Sequence, residues 1–295
     1  MSLTFPPVEP RLIDSHHLGR ERAIGTYELD GLLIDPGPES CLDNVLAQTA
    51  ERPQALLLTH IHLDHAGATG ELVRRFPDIE VWVHERGAPH LIDPSKLIAS
   101  ASRLYGDRMQ ELWGKIVPVP PERVHVLSGG ETIELRGRQF DVHYTPGHAS
   151  HHVVYFDRDD ATVYAGDVAG VRIPPSDFVM APTPPPDIDV ELWLRSIDLV
   201  RELGPSRIAL THFGFADDPA VQLDGVARAL ERQAAVAKQL IDEGVEASMA
   251  EDRFAAELER RLREEADPET AAAAIQASSP RQLWMGLERY WRNAT

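Results

Sequence analysis

The chain has 295 residues, enough for one large domain, or a domain with an appendage, around a sizeable core. Its 47 acidic residues against 29 Lys and Arg give a formal charge of −18, a field that repels polyanions and argues against a nucleic-acid partner. Cys41 is the one cysteine, so no internal disulfide can form, and no run approaches the roughly 18 apolar residues of a membrane span.

Met1 to Pro7 has neither the basic start nor the apolar core of a signal peptide, so the expected location is cytoplasmic. Residues 11–18, 23–29 and 32–35 read as strands, with Asp30-Gly31 as a hairpin turn. His16 and His17 lie outside any motif and read as structural or exposed. Residues 40–51 have a helical period, with Leu42, Val45 and Leu46 on one face and Cys41 as a small apolar member. Pro53 stops that helix before Ala55-Leu56-Leu57-Leu58, which has the length and composition of a buried strand.

Directly after it comes Thr59-His60-Ile61-His62-Leu63-Asp64-His65, and residues 66–76 then read as a helix. Three imidazoles and a carboxylate therefore sit on a strand-to-helix turn, where α/β proteins place their chemistry. His60 and His62 are two apart, so in an extended stretch both rings leave one face and can converge on one ion. Asp64 and His65 lie where the chain turns and point differently, as a second ion would need. Asp64 could instead be only an N-cap. Capping accounts for one residue of the four, and nothing structural calls for three histidines at this spacing.

Further on, residues 80–83 form a short strand ending at His84, and residues 88–115 read as helical. Residues 131–135 and 139–144 make a hairpin turning at Arg136-Gly137, whose second strand reaches His148 through Pro146-Gly147, where glycine permits the turn. His84, His90, His125 and His143 have no motif context and read as solvated or supporting. Residues 153–156 and 161–164 pair as strands and lead to Asp167. The proline-rich stretch 171–186 should be ordered and line the cleft through some of Arg172, Phe178 and Met180. Residues 190–203 form a helix capped near Asp187 or Asp189, and 207–210 form the last core strand, ending near His212. Residues 216–242 read as a long amphipathic helix. Phe254, Leu258 and Leu262 mark another, residues 271–277 a third, and Leu283, Leu287 and Trp291 a fourth.

The run His60-Ile61-His62-Leu63-Asp64-His65 resembles the His-x-His-x-Asp-His signature of the metallo-β-lactamase-fold hydrolases. Asp35-Pro36-Gly37 is similar to that family's early strand element. Gly129-Gly130-Glu131 running to Thr145-Pro146-Gly147-His148 is similar to its third motif, Ala165-Gly166-Asp167 to its fourth and Thr211-His212 to its fifth. They occur in the family's order. The resemblance implies an α/β fold, an αββα sandwich, with a catalytic domain over residues 1–215 and an all-helical C-terminal extension over 216–295. The helical insertion near 88–115 would then lie over the cleft as a lid and substrate wall, or form a hairpin that only covers sheet. The glyoxalase II group also carries C-terminal helices, an analogy of architecture.

By the same resemblance, His60, His62 and His148 would hold one metal and Asp64, His65 and His212 the other, with Asp167 bridging. Ser150 and His151 depart from the Pro-Gly-His-x-Pro-Gly form common in relatives, and His151 and His152 are not assigned to metal. The implied cofactors are two divalent ions, zinc in the first place, although imidazole and carboxylate without thiolate also suit iron or manganese. Two ions, two carboxylates and a hydroxide leave roughly +1 locally, enough to attract a small anionic group to an acidic protein. The implied function is a dinuclear metal-dependent hydrolase using a metal-bound hydroxide on a small ester, thioester, lactone or lactam. Asp64 would be the catalytic residue that orients the hydroxide or moves its proton. No Ser-His-Asp or Cys-His nucleophile arrangement competes with it. The alternatives are a phosphodiesterase, or a mononuclear iron persulfide dioxygenase of the same fold. The expected partner is a small-molecule substrate, with no nucleic acid and no membrane, and a homo-oligomer is left open.

Overall fold

The structure, a computed structural model, describes residues 9–294; the reading of Met1 to Pro7 falls outside the described residues. Its first sheet runs in sequence order: β1 (Arg11–Asp14), β2 (Gly25–Leu29), β3 (Leu32–Ile34), β4 (Ala55–Leu57), β5 (Glu80–His84) and β6 (Val124–Leu127). β1 to β3 pair antiparallel, and β3 to β6 pair parallel. The second sheet contains β7 (Thr132–Leu135), β8 (Arg138–Tyr144), β9 (Val153–Asp157) and β10 (Thr162–Tyr164). A two-stranded ribbon follows, β11 (Val171–Arg172) with β12 (Val179–Met180), and β13 (Arg207–Leu210) and β14 (Gly214–Ala216) then complete the second sheet beyond β10. α1 (Leu42–Gln48), α2 (Leu63–Ala66), α3 (Thr69–Arg75), α4 (Ala88–Ile92), α5 (Ser95–Tyr105) and α6 (Met109–Trp113) belong to the first half. α7 (Val190–Glu202), α8 (Pro219–Asp242), α9 (Ala247–Glu265), α10 (Pro268–Ala277) and α11 (Pro280–Asn293) belong to the second.

Strand side chains alternate between faces, and here that alternation builds three apolar layers. Leu32, Ile34, Ala55 and Leu57 meet Phe140, Val142, Tyr155 and Ala209 between the sheets. The intervening Leu33, Leu56 and Leu58 pack outward on Leu42, Leu72 and Val73 of the first helical layer. Val154, Val163, Ile208 and Leu210 face the opposite way, onto the second helical layer. The result is the αββα sandwich. Apolar runs such as 55–58, buried on both faces, need no polar side, which is why they are uninterrupted.

The elements fall largely where the sequence puts them, and the departures have local causes. Asp30 (φ 47°) and Gly31 (φ 78°) both adopt left-handed backbone, as the hairpin between β2 and β3 requires. β1 stops at Asp14 because its carboxylate takes the amides of His16 (3.0 Å) and Arg22 (2.7 Å), gathering residues 15–22 into a loop. The helix expected over 66–76 begins only at Thr69, as α3, and the short α2 precedes it over Leu63–Ala66, since the Ala68 amide bonds the Gly37 carbonyl (2.9 Å) instead of continuing α2. The helical segment 88–115 divides into α4, α5 and α6. β14 is a short strand the sequence did not signal, and α8 starts at Pro219, not at 216, because Asp218 accepts the Val221 amide as its cap. Asp218-Pro219 and Asp267-Pro268 share one start device, a capping carboxylate followed by proline at the first helical position, and Ser279-Pro280 has the same proline without a side-chain cap bond.

The C-terminal helices have no apolar core of their own. Leu223, Val226 and Leu230 of α8, Phe254 of α9 and Leu287 of α11 join Trp193 and Ile197 of α7 in one cluster with the second sheet. A chain ending at Ala216 would expose that face. It is expected to partition into the insoluble fraction or to lose its cooperative thermal transition; a soluble, monomeric and fully active product would contradict this packing account.

Candidate metal centre

The C-terminal ends of parallel strands and the loops that follow them gather the site at one edge of the sandwich. Asp35 follows β3 and residues 59–65 follow β4, while His148, Asp167 and His212 follow β8, β10 and β13 of the other sheet. His148 is carried there by Gly147 at φ 131°, where a Cβ would stand 2.3 Å from the backbone of Trp193. No residue with a side chain fits that position.

Two groups of ligand-type atoms result. The first comprises His60, His62, His148 and Asp167, the second Asp64, His65 and His212, each group within 4.8 Å of its own members. His62 Nδ1 lies 3.0 Å from Nε2 of both His60 and His148. Asp167 stands between the groups: its Oδ2 is 3.2 Å from His148 Nε2, and its Oδ1 is 3.2 Å from His65 Nε2 and 3.5 Å from His212 Nε2. Asp64 Oδ2 completes the second group, 3.4 Å from His212 Nε2 and 3.8 Å from His65 Nε2. The simple N-cap role for Asp64 is not realised, since it lies inside α2 and makes no cap bond.

The second ring of partners fixes which nitrogen faces inward. Nδ1 of His65 donates to Asp35 (2.8 Å), Nδ1 of His148 to the Pro182 carbonyl (2.8 Å), and Nδ1 of His212 to the Ala23 carbonyl (2.6 Å). His60 Nδ1 is 3.1 Å from the Thr59 hydroxyl, which itself donates to Asp35 (2.7 Å). With these four Nδ1 atoms carrying their protons outward, their Nε2 lone pairs converge, and His62 turns its Nδ1 to the same centre. His65 Nε2, His212 Nε2 and Asp167 Oδ1 are buried with no hydrogen-bond partner among the described residues. Lone pairs crowded on lone pairs in a buried site are costly unless a cation lies among them, so these residues fit divalent metal ions.

Electrostatics divides the groups. Burial first, then the neighbouring imidazoles, holds His60 well below the ordinary histidine range; burial lowers His62 against the pull of Asp64, and lowers His148 to about 4. These rings are neutral and ready to ligate. For His65 and His212 burial acts the same way, but Asp167 and Asp64 outweigh it and raise both. Burial would raise the two carboxylates, yet His65 and the imidazoles around it draw both below their usual range. Protons on the second group stand in for positive charge that a cation would supply.

Every expected ligand residue lies in one of the two groups. Several supporting residues were not anticipated. In the sequence Asp35 stands out only as part of a motif; in the fold it accepts from the Thr59 amide (2.8 Å) and hydroxyl, the Thr211 hydroxyl (3.2 Å) and His65. Gln233, deep in α8, clamps the backbone of Ala181 from both sides, accepting its amide (3.0 Å) and donating to its carbonyl (2.8 Å). That clamp sets Pro182, the partner of His148. His17 is buried, stacked on Trp113 at 5.4 Å, and lines the cavity above the centre. His152 stands behind the ligands, bonded to Thr145 at 2.9 Å, and Cys41 is buried in packing.

That cavity, about 760 Å³, has His62, Asp64 and Asp167 in its floor. The insertion walls it: α5 and α6 pack on Leu63, between two ligands, through Ala101, Leu112 and Trp113. The cleft residues expected from the proline-rich stretch need correction. Phe178 and Met180 turn into the core against α8, and Arg172 donates to the Phe215 carbonyl (3.1 Å). Pro182, Pro184, Pro185 and Pro186 line the cavity instead, because the β11–β12 ribbon directs the earlier part of the segment inward.

Residues 27–212 match the sequence profile of the metallo-beta-lactamase superfamily. A metallo-beta-lactamase fold-containing protein of Sulfurisphaera tokodaii is 31% identical over 162 residues, 54% of this chain and 60% of that protein. A hydroxyacylglutathione hydrolase of Salmonella paratyphi A is 28% identical over 129 residues, 42% of this chain and 38% of that enzyme. Each match thus spans less than two thirds of the relative's own length. The crystal structure of a metallo-beta-lactamase family protein from Thermus thermophilus superposes with a TM-score of 0.66 at 19% identity, over 97% of this chain and 93% of that one. It shares the fold through the C-terminal helices.

Replacing Asp35 tests the second ring. Asp35→Asn keeps the shape but turns an amide NH₂ toward groups that are already donors. Zinc affinity, measured by competition with a chromophoric chelator, is expected to fall about 10–100-fold. Unchanged affinity in a folded variant would contradict the orienting role.

Proposed function

The chain belongs to the metallo-beta-lactamase superfamily, and from that premise we propose that it is a metal-dependent hydrolase of small esters, thioesters, lactones or lactams, working with two divalent ions. The observation that carries this reading is Asp167, whose two carboxylate oxygens face different trios of ligand atoms at the floor of a cavity. Bound there, two divalent ions would lower the pKa of a shared water toward neutrality and polarise the substrate oxygen. His60, His62 and His148 would hold one, Asp64, His65 and His212 the other, and Asp167 both. Zinc suits this set, and iron or manganese would also be accepted.

The chain's own groups supply the rest. Asp167 is almost fully buried, whereas the Asp64 carboxylate keeps 20% exposure and lines the cavity, so Asp64 is the carboxylate able to orient a water and pass its proton. Trp113, Leu112 and Pro184 exclude bulk water around it, which strengthens polar interactions at the floor. The Tyr105 phenol, held protonated by burial and by Asp64, is a hydrogen-bond donor in the wall. Overall, water adds across the acyl C–O, C–S or C–N bond, giving a carboxylic acid and an alcohol, thiol or amine. The substrate is a small molecule, and the acidic surface disfavours nucleic acid. Among the described residues no helix is long and apolar enough to cross a membrane.

Asp167→Ala is expected to release one ion or both and abolish turnover. Asp64→Asn, which keeps an oxygen but loses the charge, should reduce kcat/KM by about 10²–10³-fold. Cys41→Ala should leave it intact. Steady-state rates on an ester and thioester panel, run with and without oxygen, check all three. Equal rates in both atmospheres are expected; activity that stops without oxygen, with oxygen consumed in the presence of a persulfide, would refute hydrolysis and establish a dioxygenase.

A further inference from the structure

The walls of the cavity above the centre come from four distant parts of the chain: the loop at His17 and Leu18, the insertion, the prolines from Pro182 to Pro186, and the segment from Ile275 to Arg289. These parts are tied together. Gln276 donates to the His17 carbonyl (2.6 Å) and accepts from Arg20 (2.8 Å). On the other side α11 lies directly on the proline-rich loop, where a Cβ on Gly286 would meet the Thr183 carbonyl oxygen at 2.0 Å. The cavity is therefore preformed, and its volume of about 760 Å³ is that of a small-molecule site.

Its lining is unlike the rest of the surface. Leu97, Leu104, Trp113, Ile275 and Leu283 give it apolar walls. Two of the protein's exposed large apolar residues, Leu18 (43%) and Met285 (39%), also line it. Among the described residues its only carboxylates are Asp64 and Asp167 of the floor, and its other charged residues are Arg103, Arg108 and Arg289. On a chain with 47 acidic and 29 basic residues, a wall free of any other acid is a local reversal of charge. The three arginines are exposed, whereas the floor is buried or nearly so, so the cations stand toward the mouth. Arg108 is paired with Glu111 (3.0 Å), but Arg289 uses only Nε, on the Pro186 carbonyl (3.2 Å), and Arg103 has no partner among the described residues.

We propose that the site takes an acyl substrate whose scissile carbonyl sits at the floor and whose apolar arm runs up the cavity to an anionic end group, met by Arg103 and Arg289. The end group is a carboxylate or a phosphate-type anion, which a guanidinium fork binds alike. The apolar arm supplies affinity through burial, and the arginines select for charge at its tip. This inference rests on the hydrolase reading of the same site.

The test uses thioesters of N-acetylcysteamine, a neutral leaving group, with four acyl arms: acetyl, octanoyl, octanoyl ending in a carboxylate, and octanoyl ending in a phosphonate. Lengthening from acetyl to octanoyl should raise kcat/KM by about 100-fold or more. A terminal anion should raise it a further 3–10-fold or so, an advantage that shrinks as salt increases. The comparison of carboxylate with phosphonate identifies the end group. In an Arg103→Ala, Arg289→Ala double variant the ratio of anionic to neutral octanoyl thioester should fall to about one. Calorimetric titration of the metal-loaded protein with octanesulfonate and with octanol, neither of which is hydrolysed, reads the pocket independently of chemistry. Tighter, arginine-dependent binding of the sulfonate is expected. If neither these thioesters nor the matching phenyl esters and lactones are cleaved but that preference holds, the hydrolase reading fails and the pocket assignment stands. If thioesters are cleaved with no preference for length or terminal charge, the pocket assignment is overturned and the hydrolase reading stands.

Discussion

The constraint on which the rest of this structure depends is the convergence of buried lone pairs at one point. His65, His148 and His212 each give their Nδ1 proton to an oxygen outside the cluster, so their Nε2 atoms meet around Asp167. Such an arrangement is unfavourable on its own terms, because buried acceptors facing acceptors lose hydration without gaining a donor. It persists because the partners that force it are part of the fold. Asp35 ends a strand, the Ala23 carbonyl precedes another, and the Pro182 carbonyl belongs to a segment locked by α8.

Seen this way, the C-terminal helices are part of the centre's support. Gln233 lies in the buried face of α8 among Leu230, Ala234 and Ala237, an expensive place for an amide unless both ends are satisfied. Both are, by one backbone unit adjacent to the carbonyl that orients His148. Gln222, on the same helix, donates to the Ala169 carbonyl (2.8 Å) just after Asp167. The helix that closes the second apolar layer thereby also holds the loop that carries Asp167 and the segment whose Pro182 carbonyl orients His148. The segment from Ile275 to Arg289 then extends the same scaffold over the cavity.

Much of this was legible in the sequence, and what was not has a physical reason. The strands could be read because double-sided burial leaves uninterrupted apolar runs such as 55–58, and the ligand residues because histidines two and three apart have no structural use. The hairpin turns at Asp30-Gly31 and Arg136-Gly137 announced themselves through residues that tolerate left-handed backbone. Helix starts were misplaced where a Pro or Asp outside the apolar period decided the boundary, as at Asp218-Pro219. The supporting residues were invisible for a different reason. Gln233, Asp35 and His17 act through contacts 24 to 259 positions away in the chain or through backbone groups, which no local pattern records. Phe178 and Met180 read equally well as cleft or core, because large apolar residues suit either, and only the ribbon's direction decides between them.

The central claim is that this cluster is shaped for two cations sharing Asp167. Crystals grown with zinc and measured on both sides of the zinc absorption edge test it most directly. The account predicts two anomalous peaks per chain, one among His60, His62 and His148 and one among Asp64, His65 and His212, with a carboxylate oxygen of Asp167 on each. A single peak, with the other group closed by contacts between its own side chains, would contradict it.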